Sequence, residues 1–388
     1  MRLLVVAGDP SGDLYGSLLL RALKTRRSDL RVDAVGGALM RAAAEETGGE
    51  FLHDLAGMGL TGFVEPLRRI PHLFALRRTL AARMRTERPD ALVVIDYYGF
   101  NRHVLAAGRD AGVKTLYYVS PQVWASRPGR IRVLRGLVDR MIVIFPFEEE
   151  LYRAQGVPVT WVGHPLLDLL PAPRDPDASG DGTLRLGLLP GSRASELARH
   201  LPVLLPAAER VLKSFPRSEL SVFAAPQAPD ALYTPHLAAF ERRTGRAVRL
   251  VRDRAYAERA RLDLALCSSG TATLENALLG VPMVVVYRLS WPTYALARAL
   301  VHVRNIAMAN LLAGRTLVPE LIQHEATPER IADAALDLLA EPRRLAALRR
   351  ELAALREKLG GPGATGRAAA AVLEAAVGPA PAREEVRA

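Results

Sequence analysis

The sequence predicts an α/β protein of two doubly wound, Rossmann-like domains, and three observations predict it. Short aliphatic or β-branched runs alternate with longer Ala-, Leu- and Arg-rich segments. Within those runs the apolar residues are consecutive, as in parallel strands buried on both faces, not alternating as in a strand with one wet face. The length of 388 residues exceeds what one hydrophobic core normally supports.

The predicted strands form two groups: residues 3–7, 91–95, 115–119 and 141–144, then 184–189, 220–224, 262–267 and 282–287. Between the groups, residues 171–183 are rich in Pro, Asp and Gly and lose all apolar periodicity, so they read as a linker. The expected organisation is an N-terminal domain over 1–170, the linker, a second domain over 184–327, and C-terminal helices over 328–388. Past 360–363 one further short helix is expected, around 367–377, with a frayed end from Gly378. Two such domains would face each other across a cleft, and ligands of open α/β sheets bind beyond the carboxyl ends of the strands.

The formal charge of +11 arises from 52 basic and 41 acidic side chains, most of the basic ones Arg. That balance suits phosphates, nucleic acid or an anionic membrane surface. The Arg excess is spread along the chain and no nucleic-acid motif occurs, so a nucleic-acid partner is not expected. The single cysteine, Cys267, excludes an internal disulfide and an all-cysteine metal site. No acidic metal-binding motif is evident, and neither a metal nor a cofactor is expected. The first apolar run is too short for a signal-peptide core, and no apolar stretch approaches the roughly 20 residues that span a bilayer. A cytoplasmic location is expected, free or attached to a membrane from that side.

The motifs fall at predicted strand ends. Ser269, Gly270, Thr271, Ala272 and Thr273 follow one strand and open a helix, where unpaired N–H groups and the helix dipole favour a phosphate. Glu275, in the first turn, reads either as a partner for ribose hydroxyls or as part of an ordinary capped helix start. Gly191, Ser192 and Arg193 repeat the arrangement after residues 184–189; Arg193 suits a diphosphate, and the alternative is a surface pair with Glu196. Asp9, Ser11, Gly12 and Asp13 follow the first strand, as a ligand turn or a plain one. Asp96, directly beyond residues 91–95, reads as a general base or as a helix cap. Ser120, Gln122 and Trp124 lie in a loop of the mixed aromatic and amide kind common in carbohydrate sites, and His164 is ligand-binding or structural. Residues 66–80 are basic and apolar at helical spacing, and residues 291–296 contain Trp and Tyr. Both suit either a membrane surface or a core helix.

Taken together, these pieces resemble the lipid-A-disaccharide synthase family of GT-B glycosyltransferases. The matching motifs run in family order: residues 7–13, Ile95-Asp96 with Phe100-Asn101, 118–124, 145–148, 162–165, 189–193, 269–275, Pro282–Val285 with Tyr287, 310–314 and Pro319-Glu320-Leu321 with Gln323. The resemblance implies inverting transfer of 2,3-diacylglucosamine from UDP to 2,3-diacylglucosamine 1-phosphate, giving a β-1,6 disaccharide and UDP. It implies Asp96 and Arg193 as catalytic residues. Gly191, Ser192, Arg193, Ser269 to Thr273, Glu275, Asn310 and Gln323 fall on the UDP side. Asp9, Ser11, Gly12, Asp13, Asn101, Ser120, Gln122, Trp124 and His164 fall on the acceptor side. It also implies peripheral attachment to the cytosolic face of an anionic inner membrane, and C-terminal helices over 328–388 that either pack back on the first domain or are exchanged in a homodimer. The chain departs from the family at Asp9 (usually Glu), Tyr98-Gly99 (usually Pro-Asp), Ser126 (usually Trp) and Ala309 (usually Pro). A transferase with another acceptor, or a UDP-sugar 2-epimerase on the same fold, is the alternative.

Overall fold

The computed structural model describes residues 1–58, 65–123, 129–176, 181–226, 228–253, 255–291, 294 and 305–378. Trp124, Ser126, linker residues 177–180 and most of the 291–296 segment lie outside the described residues. Two compact units are present: Met1–Asp168 together with the chain from Leu359 onward, and Leu169–Lys358.

The first unit holds a seven-stranded parallel sheet. Its strands are β1 (Arg2–Ala7), β2 (Arg31–Gly36), β3 (Phe51–Asp54), β4 (Ala91–Ile95), β5 (Lys114–Tyr118), β6 (Arg140–Val143) and β7 (Val159–Trp161), in spatial order 3-2-1-4-5-6-7. β4 is fully buried along its length, and Leu3 to Ala7 of β1 are at most 2% exposed, which is why only aliphatic residues suit both faces. The second unit holds a six-stranded parallel sheet of β8 (Leu184–Leu189), β9 (Ser218–Phe223), β10 (Arg249–Val251), β11 (Leu264–Ser268), β12 (Met283–Tyr287) and β13 (Glu320–Ile322). Its order is 10-9-8-11-12-13.

Every strand read from the sequence is present, within two residues at each end. Five others are not apparent in the apolar pattern. β2 carries Asp33 in its middle, a buried carboxylate bonded to Arg2 at 2.6 Å and facing Arg83 at 3.4 Å. The rest, β3, β7, β10 and β13, are edge strands of three or four residues, too short for a pattern and short as edges usually are.

The C-terminal region divides between the units. Helices Pro328–Leu339 and Pro342–Ala354 belong to the second, where Arg349 bonds Asp263 at 3.1 Å. The last helix, Ala364–Val377, belongs to the first and is capped there by Asp168, which accepts from the N–H groups of Gly363 and Thr365.

Asp13 shows how the first unit holds its turns. The helix Ala38–Glu46 begins after Gly37, which has no side chain to cap it. The buried Asp13 carboxylate does so from the neighbouring helix Pro10–Arg26, accepting from Gly37 N at 2.7 Å, Met40 N at 2.9 Å and Leu39 N at 3.1 Å. Asp13→Ala should therefore lower the stability of this unit by about 2–4 kcal/mol, since three backbone donors, two of them buried, lose a charged acceptor. Urea unfolding checks this; a variant as stable as the parent would refute it.

Candidate functional site

In each sheet the strand order reverses at one point, and the sequence motifs gather there. β1 lies beside β4, with Ala7 opposite Ile95, and β8 lies beside β11, with Leu189 opposite Cys267. At such switch points the following helices leave on opposite faces of the sheet, so a crevice opens beyond the carboxyl ends of the strands.

In the first unit the turn after β1 meets the turn after β4. Asp9 caps the helix Pro10–Arg26, its Oδ1 accepting from Gly12 N at 2.8 Å, with Ser11 half-buried beside it. Gly8 lies under the Tyr97 ring so closely that a Cβ there would come within 2.1 Å of it. Asp96 and Tyr97 both take left-handed backbone conformations, φ 44° and 46°, which are unfavourable for residues with a Cβ. Buried Asn101 holds this turn by donating from Nδ2 to the carbonyls of Ile95 (3.1 Å) and Asp96 (2.8 Å), and Tyr117 OH donates to Asp96 O at 2.6 Å. Tyr97, not Asp96, occupies the N-cap of the helix Tyr98–Asp110, so the acid is not spent on capping. Burial pushes the Asp96 carboxyl up to about 7, and the nearby charge of Asp9 adds to the shift. An acid so placed exchanges protons near neutral pH.

Around this turn, buried Ser120 donates to Glu148 Oε1 at 2.6 Å, while Gln122 is exposed. His164 is buried between the edges of Tyr15 and Phe145, and its Nδ1 accepts from Leu166 N at 3.2 Å, which leaves the proton on Nε2. Burial pushes its pKa down to about 3, so the ring is neutral at physiological pH. Of the departures from the family pattern, Tyr98 is covered by the Arg130 guanidinium at 4.4 Å, Gly99 is exposed, and Ala309 is fully buried. Asp13, by contrast, turns its carboxylate to the 38–46 helix as described above.

In the second unit, β11 runs into the helix Thr271–Leu278 through Gly270, whose φ of 147° only glycine adopts easily. No side chain caps this helix, Thr273 Oγ1 instead donating to Gly270 O at 2.8 Å. The first-turn N–H groups of Thr271 and Ala272 have no intrahelical partner. Ser269 sits half-buried at the strand end. Glu275 accepts from Tyr256 OH at 3.0 Å and is paired with Arg259, both of them largely buried. Each carboxylate oxygen keeps a free lone pair.

After β8, Gly191 has φ 116° and Arg193 caps the helix Ala194–Ser214. Arg193 is paired with Glu196, Nη1 to Oε1 at 3.0 Å, so the pairing that the sequence allowed is present; the guanidinium remains half exposed. The pairing arises because Glu196, one turn into the helix, is the nearest acceptor for a cation at the cap. Gln323, itself at φ 56°, clamps the chain after β12 by donating to Leu289 O and accepting from Leu289 N, both at 3.0 Å. Asn310 is buried with its amide fully engaged: it accepts from Leu317 and Val318 and donates to Val318 O and Glu320 Oε1.

Several supporting roles escape sequence reading, which names Glu148 and Glu320 only within the family motifs. His200 is fully buried, donates from Nδ1 to Pro190 O at 2.7 Å and accepts at Nε2 from Arg288 N at 3.1 Å, tying the turn after β8 to the one after β12. Glu320 accepts from the N–H groups of Ile306 and Ala307. Glu148, Tyr256 and Arg259 act through partners 16 to 28 residues away. Among the described residues no group of three or more His, Cys, Asp or Glu is placed to hold a metal.

A family model for lipid-A-disaccharide synthetase matches residues 3–375. The lipid-A-disaccharide synthase of Syntrophus aciditrophicus is 41% identical over 380 residues, covering 95% of this chain and 96% of that one. That of Geobacter metallireducens is 42% identical over 379 residues, covering 96% and 97%. Among solved structures, the UDP-N-acetylglucosamine 2-epimerase of Neisseria meningitidis bound to UDP-GlcNAc superposes with a TM-score of 0.64 at 12% identity, covering 96% of this chain and all of that one. At that identity the likeness is one of fold, and the fold is GT-B.

The raised pKa of Asp96 has two measurable consequences. Its folded value lies above the ordinary 3.8, so the folded state holds the proton more tightly and stability falls as pH rises from about 4 to about 7. In infrared or carbon NMR titration the Asp96 carboxyl should ionise near pH 7, and lower in Asp9→Asn, which removes a neighbouring negative charge. A midpoint near 4 in the parent protein, or no change on substitution of Asp9, would contradict this account of the site.

Proposed function

The chain belongs to the lipid-A-disaccharide synthase family, and we propose that it transfers 2,3-diacylglucosamine from UDP to the 6-hydroxyl of 2,3-diacylglucosamine 1-phosphate. The observation that carries this reading is the sequence match over nearly the whole chain. The likeness to an epimerase extends to the fold alone and gives that alternative no support of its own.

The chemistry is a single inverting displacement. The acceptor oxygen bonds to the anomeric carbon of the donor while the bond from that carbon to the UDP oxygen breaks. Asp96 takes the hydroxyl proton, for which a pKa of about 7 is well matched, since a useful fraction is ionised at neutral pH and the conjugate acid is not too strong. The leaving diphosphate is received by Arg193 and by the first-turn N–H groups of the 271–278 helix, whose dipole favours the developing charge. Glu275, held by Tyr256 and Arg259, offers its remaining lone pairs to ribose hydroxyls without having to be ordered on binding. Ser120, Asn101 and His164 shape the acceptor side.

This reading puts the protein at the cytosolic face of the inner membrane, peripherally held, because both sugars carry acyl chains. Supporting it, the helix Glu65–Glu87 exposes Ile70 and Phe74 and carries Arg77 and Arg78 beside them. Among the described residues no helix is long and apolar enough to cross a membrane.

UDP release in detergent micelles tests the assignment. With the diacylglucosamine donor, release should depend on the acceptor and fall by about 10²–10⁴ in Asp96→Ala and in Arg193→Ala while both variants remain folded. Release that ignores the acceptor, or survives in both variants, would sink it. The rate should also rise with pH through an apparent pKa near 7, the value of Asp96.

A further inference from the structure

We propose that Glu196 occupies the diphosphate position at the turn after β8 whenever the nucleotide is absent, and that its return to that position drives UDP release. The inference rests on the donor-site reading above and extends it to a residue that reading does not use.

The Glu196 carboxylate takes three of the donors that the turn offers to an anion. Oε2 accepts from Ser192 N at 2.9 Å and from Arg193 N at 3.4 Å, and Oε1 pairs with Arg193 Nη1 at 3.0 Å. Gly191 leaves the room this requires, since a Cβ there would lie 2.5 Å from Glu196 Oε2 and 2.8 Å from its Cβ. An ordinary capping glutamate bonds one backbone N–H at the cap; this one takes two N–H groups and the guanidinium as well. The turn after β11, at 270–272, has no comparable acid: its glutamate is turned aside to Tyr256 and Arg259.

Two anions cannot share these donors. A carboxylate left beside a diphosphate at contact distance is repelled, the more so in a partly desolvated site. Nucleotide binding must therefore displace Glu196, which weakens affinity for donor and product alike. Weaker product retention helps an enzyme whose turnover is limited by release. With UDP gone, the carboxylate recaptures the N–H groups and keeps the turn and Arg193 in their binding geometry.

Isothermal titration of UDP into the full-length protein tests the proposal, with Glu196→Gln, Glu196→Ala, Glu196→Asp and Arg193→Ala alongside. Removing the charge in the Gln and Ala variants should tighten UDP binding about tenfold and lower kcat through slower release. The Asp variant, which keeps the charge, should stay within about twofold of the parent. A residue that only capped the helix would instead weaken binding or leave it unchanged when lost. UDP affinity equal to or below the parent's in both folded charge-free variants would overturn the proposal, as would an Asp variant that tightens as much as they do. Arg193→Ala separates the two levels: unchanged UDP affinity there would overturn the donor-site reading itself.

Discussion

The structure depends on how the unpaired N–H groups at its strand-to-helix turns are satisfied. A parallel sheet that feeds each strand into a helix leaves several such donors at the same edge, all reinforced by helix dipoles. Some are met permanently by the fold, as Asp13 meets Gly37, Leu39 and Met40, and Asp168 meets Gly363 and Thr365. Others are met by an acid of the same helix, as Ser192 is by Glu196, or have no side-chain cap, as at Gly270. On the proposed function, the same physical need separates scaffold from site: donors with a buried, committed acceptor hold the molecule together, and the donors at the turns after β8 and β11 are the ones assigned to the nucleotide.

A second constraint acts at Asp96. Two successive non-glycine residues in the left-handed region cost on the order of 1–2 kcal/mol each, and the turn persists because Asn101, Tyr117 and the close passage of Gly8 under Tyr97 hold it. The strain is spent where the carboxyl is desolvated beside Asp9, which is also where a base with a neutral pKa is useful. In the second unit Gln323 is similarly strained, and it locks the loop after β12 against a turn that His200 already ties to Pro190.

Much of this was legible in the sequence, and the reasons are local. Strands buried on both faces declare themselves as aliphatic runs, and the candidate residues next to their carboxyl ends, Asp96, Arg193 and Glu275 among them, are singled out by that position. β2 stayed hidden because its core is interrupted by Asp33, whose buried carboxylate is compensated by Arg2, Arg83 and Arg31. His200 and the Tyr256–Arg259 pair stayed hidden, and Glu148 stayed without a role, because what they do is defined by partners distant in sequence. Asp13 is singled out by position and Asn310 by the family resemblance, and the fold engages the Asp13 carboxylate with three backbone donors and the whole Asn310 amide. Only the three-dimensional count of donors and acceptors distinguishes them.

Backbone hydrogen exchange with and without UDP tests the central claim most directly, because it reads the N–H groups themselves. The account predicts that UDP protects peptides covering 190–196 and 269–275 and leaves the Gly37–Met40 turn unchanged, since its donors are already committed. Protection confined to other segments at saturating UDP, or none at either turn, would contradict it.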